Sequence, residues 1–362
     1  MYDCVVVGGG LIGMLTARQL TQEGQSVLLL DQGSLGAESS WAGGGILSPL
    51  YPWRYPSAVS ELARYSASHY QSLAADLFEE SGIDPEWTQS GLLILDIDEK
   101  LQAEQWSEQF NAGASLITAT KLSALEPGLQ HHAEQALWLP SVAQMRNPRL
   151  VKAAAGSLRH HQVAIAEHEA VTSIEHEDGQ VTAVRTAQRR IPTSRIVITA
   201  GAWSAGLLKG ITTKMDVQPV RGQMLVYKAE PGLLQHIILD QDRYLIPRLD
   251  GHILIGSTLE YTGFDKSVTG QAKQELHQKA LALLPGLKHF SVERHWSGLR
   301  PGTPSGIPYI GEHPDIKQLY FNTGHFRNGV ILGLASVQLL TDLIQQQSPI
   351  LNPVAFGLDA QH

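Results

Sequence analysis

Three glycines, Gly8, Gly10 and Gly13, follow the apolar run Cys4–Val7 in a G-x-G-x-x-G spacing, and Asp31 stands 21 residues after Gly10. That combination has a specific physical use. Gly8 permits a tight turn, Gly10 lets the backbone approach a pyrophosphate, and Gly13 lets the following helix pack closely on the strand. A helix opening at Leu11 and Ile12 presents free N–H groups and its positive dipole end to the phosphates. A carboxylate at the end of the next strand accepts hydrogen bonds from ribose hydroxyls, and an acid there rather than an arginine disfavours the 2′-phosphate of NADP. The motif indicates an adenine dinucleotide. By itself it does not separate FAD from NAD.

The motif needs a βαβ unit around it, and the sequence supplies one. Residues 3–9 read as a buried parallel strand, 11–23 as an amphipathic helix stopped by Gly24, and Ser26–Asp31 as a second buried strand. The segment Gly36–Pro52 is rich in glycine and small residues and contains Gly43, Gly44 and Gly45. Ordinary packing has no use for that composition, whereas close approach of the backbone to another group does. Further helices are expected over 57–81, 101–112, 121–126, 148–160, 272–284 and 328–345. Strand patterns occupy Gly91–Asp96 and residues 163–176, 180–187, 195–200, 217–228, 236–247, 252–257 and 319–322. Elements of the nucleotide unit thus open and close the chain, with a β-rich block between. The expected class is α/β (α+β). A discontinuous Rossmann-like cofactor domain (1–85, 140–216 and 300–362) carries an inserted antiparallel or mixed β-sheet substrate domain (86–139 and 217–299).

Bulk properties narrow the function. The 362 residues suit one large or two intimate domains, and 43% apolar with 17% charged residues is ordinary for a folded chain. A formal charge of −8 with no basic block argues against a nucleic-acid partner. The one cysteine, Cys4, excludes an intramolecular disulfide and reads as a small core residue. No run approaches ~18 uninterrupted apolar residues, so no membrane span is expected. Asp3 before the first apolar run and the glycines after it do not make a signal peptide, and a cytoplasmic protein is expected. The pairs His131–His132 and His160–His161 are sequence neighbours that do not face one site, and no HExxH or CxxC spacing occurs, so no metal is expected.

Beyond the nucleotide motif, the segment Ser39–Ser40–Trp41–Ala42–Gly43–Gly44–Gly45–Ile46–Leu47–Ser48 resembles the D-amino-acid oxidase superfamily. So do Trp296 to Gly311 and Gly324–His325–Phe326–Arg327–Asn328–Gly329. Within that superfamily the chain is most similar to the glycine oxidases of thiamine biosynthesis, from about residue 2 to 357. The resemblance implies noncovalently bound FAD and a mixed sheet over the flavin's reactive face. It places Gly8, Gly10, Leu11, Ile12, Gly13, Asp31, Gln32, Ser39, Ser40, Gly44, Gly45, Ile46, Val171 and Gly201 around the cofactor, together with the His325–Phe326–Arg327–Asn328–Gly329–Val330–Ile331 turn. A helix start at that turn would stabilise anionic reduced flavin.

An amino-acid oxidase must also hold a carboxylate, which an arginine fork does best. By the resemblance, Arg300 is that clamp, Tyr244 supports the carboxylate through its hydroxyl, and Arg327 stands near the entrance. Ile46 and Leu259 stand at pocket positions where methionines could be expected, so pocket size is open. The implied reaction takes glycine or another small amino acid and oxygen to a 2-oxo acid, ammonia and hydrogen peroxide. No side chain is required as acid or base. A homo-oligomer, dimer or tetramer, is expected. The competing reading of the same fold is a D-amino-acid or secondary-amine dehydrogenase passing electrons to an acceptor other than oxygen. A tRNA-modifying flavoprotein is disfavoured by the net charge.

Overall fold

The computed structural model describes residues 2–95, 97–211 and 214–360. The Asp96 end of the expected strand at 91–96 lies outside them.

Short, continuously apolar runs become the central strands because both faces of their sheet are covered. Six strands lie in the spatial order Tyr309–Glu312, Leu319–Thr323, Ile196–Ile198, Cys4–Val7, Val27–Leu30 and Ala164–Ala166. All neighbours are parallel except Tyr309–Glu312, which runs antiparallel to Leu319–Thr323. The period of two is visible along the first strand. Cys4 and Val6 pack under the helices, while Val5 and Val7 face the three-stranded sheet Val171–Glu177, Gln180–Thr186 and Arg190–Pro192. Full burial pushes the Cys4 thiol up to about 12, as expected for a core cysteine.

Helices Leu11–Gln22, Ser57–Ser81, Asn147–His160 and Gly329–Gln345 cover the other face and pack on one another. The stretch Phe326–Gln345 is long and apolar enough to cross a membrane by length and composition, but it is a core helix, mostly buried among the other three.

A second sheet has eight strands in the order Val292–Gly302, Gln218–Lys228, His252–Gly256, Arg243–Pro247, Ile237–Asp240, Leu92–Ile94, Gln135–Leu139 and Ser115–Thr118. It is mixed, with Ile237–Asp240 parallel to Leu92–Ile94 and the remaining pairs antiparallel. Helix Gly270–Leu283 covers the face bearing Leu225, Leu245 and Ile255. The opposite face carries Met224, Tyr244 and Ile246. The expected β-rich run at 236–247 is a hairpin whose turn places Gln241 at φ 54°. The 11-residue strand Val292–Gly302 carries Arg300 and runs through the boundary expected at 299/300.

Candidate active site

One elongated cavity of about 540 Å³ lies between the two sheets. Its first end is made by backbone. Gly8 sits at φ +112°, and a Cβ there would stand 2.5 Å from the Thr199 carbonyl oxygen. A Cβ on Gly13 would stand 1.8 Å from the Gly8 carbonyl oxygen. Gly10 differs. The nearest atom to a Cβ there is the Ser40 hydroxyl at 3.2 Å, and the residue opens onto the cavity. Two glycines therefore close the turn and the third leaves room for a ligand.

The start of helix Leu11–Gln22 has no cap from its own N-cap residue, and Leu11 N donates to Ser40 Oγ at 2.8 Å. Asp31 accepts from Gly9 N and Gly33 N, each at 2.6 Å, one on each oxygen. Each oxygen keeps a second lone pair for a ribose hydroxyl. Val171 and Thr172 close this end beside Glu169. The Glu169 carboxyl is held below its ordinary range by Arg189, with burial opposing and Thr186 assisting.

The glycine-rich segment forms the middle of the wall. Ser39–Ala42 is a single helical turn, a detail the composition of 36–52 did not announce. Asn147 Nδ2 donates to Ser40 O at 2.7 Å, and its side chain blocks any Cβ on Gly43. Gly45 sits at φ +77°, where a Cβ would lie 2.0 Å from Met145 O. On the facing sheet, Gly44 lies against Ile246 and Tyr244.

Side chains make the far end. Arg300 donates from Nη1 to Thr258 O at 3.2 Å and from Nη2 to Ser257 Oγ at 2.6 Å. Among the described residues it forms no ion pair. Burial draws its guanidinium below the ordinary pKa, with Tyr244 opposing and Arg327 adding to the shift. Tyr244, buried, points its hydroxyl to Met224 Sδ at 3.7 Å. Gly222 makes room for this guanidinium, since a Cβ there would lie 2.1 Å from Arg300 Nη2. Arg327 is exposed, with its guanidinium 5.5 Å from the Phe326 ring centroid. His325 is buried and neutral, its pKa pushed down to about 3 by burial, and its Nε2 lies 3.0 Å from Ser336 Oγ.

Most of the residues singled out from sequence line this cavity: Gly8, Gly10, Leu11, Ile12, Asp31, Gln32, Ser39, Ser40, Gly44, Gly45, Ile46, Val171, Gly201, Tyr244, Arg300 and His325 through Val330. Three do not. Gly13 lies behind the turn, Ile331 is 1% exposed in the helical core, and Leu259 is 41% exposed on a loop. Sequence reasoning passed over Gly222, Met224, Ser257 and Thr258. Gly222 had a signal, because a glycine inside a strand marks close approach of another group.

The cradle fits an adenine dinucleotide, and comparison with known proteins decides which one. The FAD dependent oxidoreductase family matches residues 3–343. The chain belongs to that family, and its cofactor is FAD. A glycine oxidase of Pseudomonas putida is 46% identical over 358 residues, covering 98% of this chain and 97% of that one. A bifunctional protein ThiO/ThiG of Synechocystis is 30% identical across 97% of this chain, which spans 53% of that longer protein. The crystal structure of glycine oxidase from Geobacillus kaustophilus superposes with a TM-score of 0.95 at 27% identity, covering 100% of this chain and 99% of that one.

Proposed function

We propose that this FAD-dependent oxidoreductase oxidises glycine and other small amino acids. Glycine, oxygen and water give glyoxylate, ammonia and hydrogen peroxide. The observation that carries this is Arg300, a guanidinium facing the cavity whose hydrogen-bond partners are neutral oxygens. A partly buried, largely desolvated cation without a counter-ion is costly, and a substrate carboxylate would complete it with two charge-assisted bonds. The 46% identical relative is a glycine oxidase, which supports the same reading.

In this reading Gly8, Gly10 and the Leu11 helix start hold the pyrophosphate, Asp31 the ribose, and Val171 the adenine end. The Ser39–Ile46 segment and the His325–Ile331 turn flank the ring. Bound FAD supplies the two-electron acceptor. The chain's own work is orientation. Arg300 fixes the carboxylate, Tyr244 stands against it, and Gly44 with Ile46 limits the space for a side chain, so the Cα–H is presented in one pose. The product imine then hydrolyses in water. The two domains would be 1–85, 140–216 and 300–362 for FAD, and 86–139 and 217–299 for substrate. The enzyme would work in the cytoplasm as a homo-oligomer, feeding thiamine thiazole synthesis, a role that the fused ThiO/ThiG relative supports.

The test is oxygen uptake and peroxide release by the purified yellow protein with glycine. Stoichiometric peroxide and glyoxylate are expected. Glycine oxidised only in the presence of a dye acceptor would make the enzyme a dehydrogenase, and no turnover of any small amine would remove the proposal.

A further inference from the structure

A buried arginine of a different kind stands behind the cavity wall. Arg248 follows the strand Arg243–Pro247 and is 7% exposed. Among the described residues it forms no ion pair, and the carboxylates Glu86 and Asp250 are engaged by Arg146 instead. Its bonds go to neutral oxygens from two separate segments. Nη1 donates to the Gln144 side-chain oxygen at 2.5 Å and to Met145 O at 3.0 Å, and Nη2 donates to Gly44 O at 2.8 Å. Gln144, itself 2% exposed, is held in turn by Ser90 Oγ at 2.9 Å and Pro247 O at 2.8 Å.

Burying a guanidinium without a carboxylate is unfavourable, and an apolar residue of similar volume would cost less for folding alone. What an apolar residue cannot do is hold three oxygens at fixed positions in one plane. One of those oxygens belongs to the glycine that faces the substrate end. The approach there is close: a Cβ on Gly44 would lie 2.7 Å from Ile246 Cδ1 and 3.3 Å from Tyr244 Cε2. Arg248 thus ties the Gly43–Gly45 turn to the same strand that presents Tyr244.

We propose that Arg248 is a positioning residue that sets the width of the substrate pocket by clamping Gly44 against the Tyr244 strand, and so confines the enzyme to the smallest amino acids. The inference rests on the amino-acid oxidase reading above. Loosening the clamp lets Gly44 move away from Tyr244 and admits longer side chains. Glycine gains nothing from the added space.

The experiment compares the parent enzyme with Arg248→Met, both loaded with FAD. It measures kcat/KM for glycine and for each enantiomer of 2-aminobutyrate, and dissociation constants for acetate and butyrate from the absorbance of the bound flavin. The preference for the smaller member of each pair is expected to fall by about tenfold or more, the scale on which an apolar pocket separates ligands by a methylene or two. An unchanged preference, whatever happens to the absolute rates, overturns the inference. If Arg248→Met does not fold, Arg248→Lys, which keeps the charge and loses the fork, is judged by the same ratio. A parent enzyme that neither oxidises glycine nor binds acetate removes the oxidase reading and this inference with it, whereas an active parent with an unmoved ratio in the variant removes only the inference.

Discussion

The two ends of the cavity are built on opposite principles. At the nucleotide end, one contiguous stretch of backbone from Gly8 to Gly13 supplies the turn, the opening and the helix amides, and a single carboxylate, Asp31, braces it. At the substrate end, Arg300, Tyr244, Met224 and Ser257 come from four strands or strand ends, brought together only by sheet register. A backbone site is specified by where side chains are missing. A side-chain site is specified by what surrounds each group. The first kind should fail all at once when an atom is added, and the second by degrees when an atom is removed.

The glycine end offers the largest expected effect and the cleanest way to break this contrast. Gly13→Val forces a side chain into the Gly8 carbonyl, so it should lower folding stability by about 3 kcal/mol, measured by urea denaturation. Gly10→Val adds its methyls on the cavity side, where only Ser40 is near. It should fold and purify without the flavin absorption band. If Gly10→Val retains the band, Gly10 does not face the pyrophosphate and the two glycines are not functionally distinct.

The same contrast explains how much was legible in the sequence. Gly8 to Gly13 could be read because the motif is local and each residue's role follows from having no Cβ. The long helix was legible from its period alone, and the expected 57–81 became Ser57–Ser81. The strand Val292–Gly302 was not, because Glu293, Arg294 and His295 interrupt any apolar alternation before Arg300. What holds Arg300 was also hidden. Ser257 and Thr258 meet it across a sequence separation of more than 40 residues, and only the pairing of Val220 with Arg300 makes Gly222 its diagonal neighbour. Leu259 illustrates the limit in the other direction. Adjacent to Thr258 in sequence, it turns outward on the loop.

At the substrate end, removing the clamp should cost much and shifting it should cost less. Arg300→Ala is expected to keep its flavin and raise KM for glycine by the equivalent of about 2–4 kcal/mol. An unchanged KM takes Arg300 out of the site. Gly222→Ala keeps the arginine but forces its guanidinium to shift away from the added methyl. A loss of about 1–2 kcal/mol in kcat/KM is expected, since the far end of a long side chain can move aside. If Gly222→Ala matches Arg300→Ala, the pocket is as brittle as the glycine cradle and the contrast fails.

The smallest effect lies one step further back. Thr258, whose carbonyl accepts from Arg300, donates its hydroxyl to Glu260. Glu260 also accepts from Gln223 Nε2 at 2.8 Å and Arg221 Nη2 at 2.5 Å. Burial works to raise the Glu260 pKa, but Thr258, Arg221 and Gln223 outweigh it and hold the carboxyl below its usual range. A group depressed in this way lends its stabilisation above the unfolded-state pKa, about 4.3 for a glutamate, and loses it as pH falls through the lower folded value. Glu260→Gln should therefore weaken acetate binding by about 0.5–1 kcal/mol at neutral pH, where one charge-assisted support of Thr258 is lost. Acetate itself protonates as the pH turns acidic, which weakens both proteins alike, so the readout is the parent's advantage over the variant, which should shrink as pH falls through the depressed Glu260 pKa. Flavin absorbance titrations across this range give both curves. Parallel curves would mean that the Ser257–Thr258 segment holds Arg300 without help from Glu260, and that graded failure stops at the residues touching the clamp.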